Sequence, residues 1–262
     1  MGRLALVQPR SVRGNFPLTW RRAAFGAAVA MAVLALLYLG ARETSVFAVR
    51  TIEVTGGSQA VRSAAVQAAQ DAKGTSLVAL DGSALIDELE ALPTVRSASY
   101  DRAFPSTLRI FVRPEVPLAV ARLGPDRWLV SERGRVIRRY GQEAHRDYPA
   151  FELPARPNVV AGSFITDVAA GAVLSALVDV PDRFPARITE VLLQDGALTM
   201  KLHAPWGDPE LRLGEDVDVR AKLAAAALVI HSLDADYRSS VAYVDVSVPE
   251  RTVVGTNAQV EG

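Results

Sequence analysis

Three observations predict an α+β protein with one membrane-spanning helix. They are an uncharged apolar run near the amino terminus, a β-α-α-β-β succession after it, and a long stretch of short strands that completes the chain. The expected architecture is a single N-terminal transmembrane helix, a small module of two helices against a sheet, and a C-terminal mixed β domain with two helices. The 262 residues suit that plan, and 50% hydrophobic with 22% charged residues excludes a largely disordered chain. The absence of cysteine excludes a disulfide framework, thiolate catalysis and iron–sulfur ligation. His145, His203 and His231 are too scattered for a histidine metal site.

The first element is the apolar run. Between Arg22 and Arg42 lie 19 uncharged residues, among them Ala23, Phe25, Val29, Leu34, Leu37 and Ala41. As a helix they span roughly 28 Å, close to the hydrocarbon thickness of a bilayer. The run exceeds the apolar stretch of a cleaved signal peptide, so a retained anchor at 23–41 is expected. Trp20 and Tyr38 sit near its two ends, where amphipathic rings favour the headgroup level. Residues 1–22 carry Arg3, Arg10, Arg13, Arg21 and Arg22 and no acid, which predicts a cytoplasmic tail and an exterior remainder. Without those five, the chain holds 24 basic against 29 acidic groups, a poor footprint for nucleic acid.

The exterior part opens on a strand containing Ile52 and Val54, with Phe47 and Val49 out of phase ahead of it as a bulge or a separate lead-in. Ser58 is placed to cap a helix with Val61, Ala65, Ala68, Ala69 and Ala72 on one side, closed by Gly74. Asp81 is placed to cap a second helix carrying Leu85, Ile86, Leu89 and Leu92, and Pro93 stops it. Strands follow at 95–102 and 107–113, the latter with Leu108, Ile110 and Val112 inward. The module is assigned to 45–114.

From 115 to 255 the texture is that of short strands and turns, with helices expected at 166–180 and 216–233. Asp195-Gly196 between two alternating runs is the strongest hairpin signal. Residues 141–165 are irregular, and 256–262 are expected to be a mobile tail. The run 241–248 alternates, with Val244, Val246 and Val248 opposite Tyr243, Asp245 and Ser247. With no later strand expected to pair with it, this is a candidate sheet edge, which would bind another strand; burial between neighbours is the other reading.

Chemistry templates are empty. No nucleophile elbow, phosphate loop, dinucleotide fingerprint or zincin helix occurs, and Asp208, Glu210, Glu215, Asp216 and Asp218 lack the spacing of a cation loop. No catalytic residue, metal, cofactor or small-molecule substrate is expected.

Several stretches together resemble the FtsQ/DivIB family of bacterial cell-division proteins. They are Ile52-Glu-Val54-Thr-Gly56, Gly74-x-x-Leu77 with Leu80-Asp81, Leu92-Pro93-x-Val95, Arg102-x-Phe104-Pro105-Ser-Thr107-Leu108-x-Ile110, and Pro114-Glu115-x-Pro117-x-Ala119. Further along stand Trp128-Leu-Val with Gly134-x-Val136, Leu213-Gly214 before Lys222-Leu223, and Tyr243-Val-Asp245-Val246-Ser247. Phe104 stands where the family more often has tryptophan, and Arg113-Pro114-Glu115 replaces its usual Glu-Arg before proline. The resemblance implies that the first module is a POTRA domain marked by Gly56, Leu92, Pro93, Arg102 and Pro105. It further implies a non-enzymatic, single-pass type II scaffold of the cytoplasmic membrane, with its C-terminal domain outside, at the division septum. Such a protein binds FtsB/DivIC and FtsL coiled-coil partners and acts indirectly on the FtsW–FtsI synthase pair. The partner strand would add along Tyr243, Val244, Asp245, Val246, Ser247, Val248, Val253 and Gly255. An envelope-assembly or export protein bearing POTRA domains, and a membrane-anchored cell-wall enzyme, are the competing readings.

Overall fold

The computed structural model describes residues 18–43, 45–141, 148–153 and 159–256. Helix α1, Leu18–Glu43, runs 26 residues and extends beyond the expected 23–41 at both ends. Its stretch Arg22–Gly40 is long and apolar enough to cross a membrane. Ala23, Phe25, Val29 and Leu34 lie on its exposed surface. Leu37 and Ala41 also belong to α1.

A 3-10 turn at Ser45–Phe47 leads into β1, Thr51–Thr55. Val49 is buried in the lead-in, where its N–H donates to Thr75 O and its carbonyl accepts from Gly74 N–H. The out-of-phase residues are thus a lead-in and not a bulge. Ser58 Oγ accepts from Val61 N–H to cap α2, Gln59–Ala68, which tightens into a 3-10 turn over Ala69–Ala72 before Gly74. Asp81 accepts from the amides of Ser83 and Ala84, starting α3, Gly82–Ala91. Strands β2, Val95–Ala103, and β3, Thr107–Pro114, complete a three-stranded sheet of order β1-β3-β2, with β1 parallel to β3 and β2 antiparallel. Leu108, Ile110 and Val112 meet Ala65, Leu85 and Leu89 in one core.

The motif positions of this module are architectural. A Cβ on Gly56 would stand 2.0 Å from Val112 O, so only glycine lets the chain turn there. Leu92 is the C-cap of α3, and Pro93 follows it. Arg102 donates through Nη2 to Leu80 O at 3.0 Å and Tyr100 Oη at 3.3 Å, tying β2 to the loop ahead of α3. Pro105, after a cis peptide, sits in the β2–β3 turn.

Among the described residues the second sheet has nine strands. They are β4 (Pro117–Leu123), β5 (Asp126–Ser131), β6 (Val136–Arg139), β7 (Ala150–Glu152), β8 (Arg187–Gln194), β9 (Ala197–His203), β10 (Glu210–Gly214), β11 (Val241–Asp245) and β12 (Val253–Thr256). Their order is β12-β11-β10-β9-β8-β7-β4-β5-β6. Asp195 and Gly196, at φ 51° and 80°, form the β8–β9 hairpin turn. Helices α4, Val168–Val178, and α5, Val219–Ser232, share one core with the sheet, and a short α6 spans Ala235–Arg238. The expected helices are therefore present but shorter. Residues 257–262 of the expected tail lie outside the described residues, whereas Thr256 pairs with Val241.

The two sheets meet at a buried ionic node. Arg135, 6% exposed, donates to Val95 O and Glu90 O at 2.7 Å, to Ala91 O at 3.2 Å and to Gly162 O at 3.3 Å. It thereby caps the C-terminal carbonyls of α3 from the other sheet. The Glu115 carboxylate beside it accepts from Arg133 at 2.5 Å and lies 3.8 Å from Arg135.

Candidate partner-binding edge

The alternation over 241–248 does not make one edge strand. β11 stops at Asp245 and lies between two neighbours: Tyr243 and Val244 register with Glu210 and Leu211 on one side, and with Gly255 and Val254 on the other. The expectation that no later strand follows is corrected, because Val253–Thr256 forms β12 and takes the edge position itself. Local chemistry explains why the chain turns back. Asp245 Oδ1 accepts from Ser247 N–H at 3.0 Å and Ser247 Oγ–H at 2.7 Å, a side-chain turn that competes with the ladder. Pro249 has no N–H to continue a strand and opens a 3-10 turn at Pro249–Arg251.

The expected site residues therefore separate. Val244 and Val246 are fully buried, and Val246 N–H donates to Arg212 O at 2.9 Å inside the protein's own sheet. Val248 is 52% exposed in the turn, so it does not share their face. Ser247 and Val248 line an open cleft of about 600 Å³ with Gly214, Val217 and the buried Lys222, whose Nζ donates to Glu215 O at 2.7 Å. Val253 and Gly255 lie on the edge strand. Val254 lies between them, inside the stretch Tyr243 to Gly255 that the resemblance implies, and Thr256 extends the edge one residue past it.

Gly255 is explained by its neighbour. A Cβ there would come within 2.1 Å of Tyr243 Cε1. The Tyr243 ring lies across the glycine and under the Arg212 guanidinium, 4.0 Å from the ring centroid. Arg212, Tyr243 and Gly255 thus form a stack across β10, β11 and β12 next to the open edge.

Elsewhere, no group of acidic or histidine side chains among the described residues is arranged to hold a metal ion. His203 Nδ1 lies 2.6 Å from Asp208 on the surface, and His145 is outside the described residues. Glu190 forms ion pairs with Lys201 and Arg122, both at 2.7 Å, on the polar face of the sheet. The Lys201 hydrogen bond leads in holding its carboxyl below the usual range, against the opposing effect of burial.

An N-terminal helix long and apolar enough to cross a membrane, a three-stranded sheet under two helices, and a strand-rich domain are together consistent with a membrane-anchored protein bearing a POTRA domain. The FtsQ-type POTRA domain family matches residues 47–113. The chain is 32% identical over 114 residues to a cell division protein FtsQ of Mycolicibacterium smegmatis, covering 44% of this chain and 32% of that protein. It is 24% identical over 216 residues to a cell division protein FtsQ of Myxococcus fulvus, covering 77% of this chain and 74% of that one. The chain thus matches about a third of the mycobacterial relative's length and about three quarters of the myxobacterial one's. The comparisons thus show an FtsQ-type POTRA domain in a chain similar to FtsQ cell-division proteins.

Proposed function

We propose that this protein is a non-enzymatic division scaffold whose nine-stranded sheet accepts a β-strand from an FtsB/DivIC-like partner along β12. Residues 1–22 lie in the cytoplasm, 23–41 cross the cytoplasmic membrane, and the POTRA domain, 45–114, and the β domain, 115–255, work outside it at the septum. FtsL joins through the same coiled-coil partner, and the complex influences the FtsW–FtsI pair.

The observation that carries this reading is the open side of β12: among the described residues it pairs with β11 alone. An added strand would satisfy its outward N–H and C=O groups, and alternate side chains would supply specificity. In an antiparallel pair successive residues point their backbone groups to opposite sides, so of Val253 and Val254 one donates outward and the other toward β11.

The test is calorimetric titration of the full chain in nanodiscs with the exterior segment of the same organism's FtsB/DivIC-like protein. Single prolines at Val253 and Val254 should each weaken binding at least about tenfold, because one removes an outward donor and the other loosens the edge. Unchanged affinity in both variants, with native circular dichroism, would move the partner surface elsewhere. Val246→Pro is unsuitable, since its N–H belongs to the internal ladder.

A further inference from the structure

The membrane end of the POTRA sheet follows from strand direction alone. The chain leaves α1 at Glu43 and enters β1 at Thr51, and β3 runs parallel to β1 with Thr107 beside Thr51. The β2–β3 turn, 104–106, must then lie at the end of the sheet facing α1. Its Ser106 carbonyl accepts from Arg50 N–H at 2.9 Å and Thr51 N–H at 3.2 Å, which fixes the turn against the incoming chain.

Apolar side chains collect at this end, uncovered among the described residues. Phe104 is 57% exposed and Val46 is 58% exposed. The Phe104 ring meets Phe47 edge-on, with centroids 5.6 Å apart. Val46 stands three residues beyond Glu43, so the tether keeps it within about 10 Å of the helix end. The headgroup layer is itself roughly 5–8 Å deep on each side of the hydrocarbon. Aromatic and apolar groups held at that depth gain by leaving water, and rings favour the interface.

We infer that Val46, Phe47 and Phe104 form a membrane-docking tip that seats the POTRA domain on the outer face of the bilayer crossed by its own α1. Docking fixes the POTRA domain relative to α1 and sets the height of the remaining sheet above the membrane. The inference rests on the reading of α1 as a retained span.

Depth-dependent quenching of the full chain in nanodiscs tests both separately. Tryptophans are introduced singly at Met31, midway along the apolar run, at Phe104, and at the exposed Ala224 of α5, and each is read as a difference from the unmodified chain. Bromines near the acyl-chain termini should quench Met31→Trp, bromines near the headgroup should quench Phe104→Trp, and neither should quench Ala224→Trp. Loss of quenching at Met31 would overturn the span, and the docking with it. Quenching at Met31 combined with a Phe104→Trp signal that behaves like Ala224→Trp would leave the span standing and overturn the docking alone.

Discussion

The two edges of the nine-stranded sheet are finished in opposite ways. At β6 the protein covers its own edge: Val136 N–H donates to Ser163 O, Gly162 N–H donates to Val136 O, and Arg135 bridges to Phe164. Arg138 and Arg139 then put exposed charge on what remains. At β12 the four residues Val253–Thr256 carry no charge and have no covering segment among the described residues. An uncovered edge invites pairing, so the asymmetry supports the proposed docking along β12. The small sheet supports the same rule, since the outer strand β2 has Ala98 N–H capped by Glu90 and Arg96 paired with Glu132.

The closed edge is the place to expect the largest effect. Arg135→Ala removes a cation shared by four carbonyls and leaves the buried Glu115 carboxylate with Arg133 alone; thermal or urea unfolding should show a loss of about 3–5 kcal/mol. Partner affinity at β12 should stay within a factor of about two of the unmodified protein where the variant is folded, because the sites share no residues. A large loss of affinity would mean that the two edges are coupled.

Val246→Pro ranks next. It deletes the bond to Arg212 O at a fully buried position and should cost about 3 kcal/mol in unfolding experiments, separating internal ladder from docking edge. Gly255→Ala should cost about 1–2 kcal/mol, since the Tyr243 ring must swing off its Arg212 stack to admit the methyl group. In a Tyr243→Ala background that cost should vanish, and a double-mutant cycle with no coupling would refute the stack.

The smallest effect concerns pH. Because Lys201 and Arg122 depress the Glu190 pKa in the folded protein, its stabilisation is fully present above the unfolded value of about 4.3 and is lost as pH falls through the lower folded value. Lys201→Met should flatten the stability profile in that acid window while leaving β12 binding at neutral pH unchanged. An unaltered acid profile would show that this pair does not contribute.

Much of the POTRA sheet was legible because its signals are local. Ser58 and Asp81 cap where short polar side chains can reach the first free amides, and Leu108, Ile110 and Val112 are buried in strict alternation. Asp195-Gly196 likewise announces a turn that needs two residues with positive φ. The candidate edge was legible only in part. Alternation continues through Val248, but the Asp245 side chain ends the strand two residues after Tyr243, and periodicity cannot see that competition.

By itself, then, the sequence determined the apolar helix, the caps, the hairpin and the inward face of β3, because those depend on residues a few positions apart. Tertiary structure alone decided that β7 joins β4 to β8, that β10 pairs in parallel with β11, and that β12 holds the edge. It also decided that Arg135 reaches the end of α3, 44 residues back in the chain from its own position to Ala91. Strand order and buried ionic contacts are set by which distant segments share a core, and no local pattern encodes that choice.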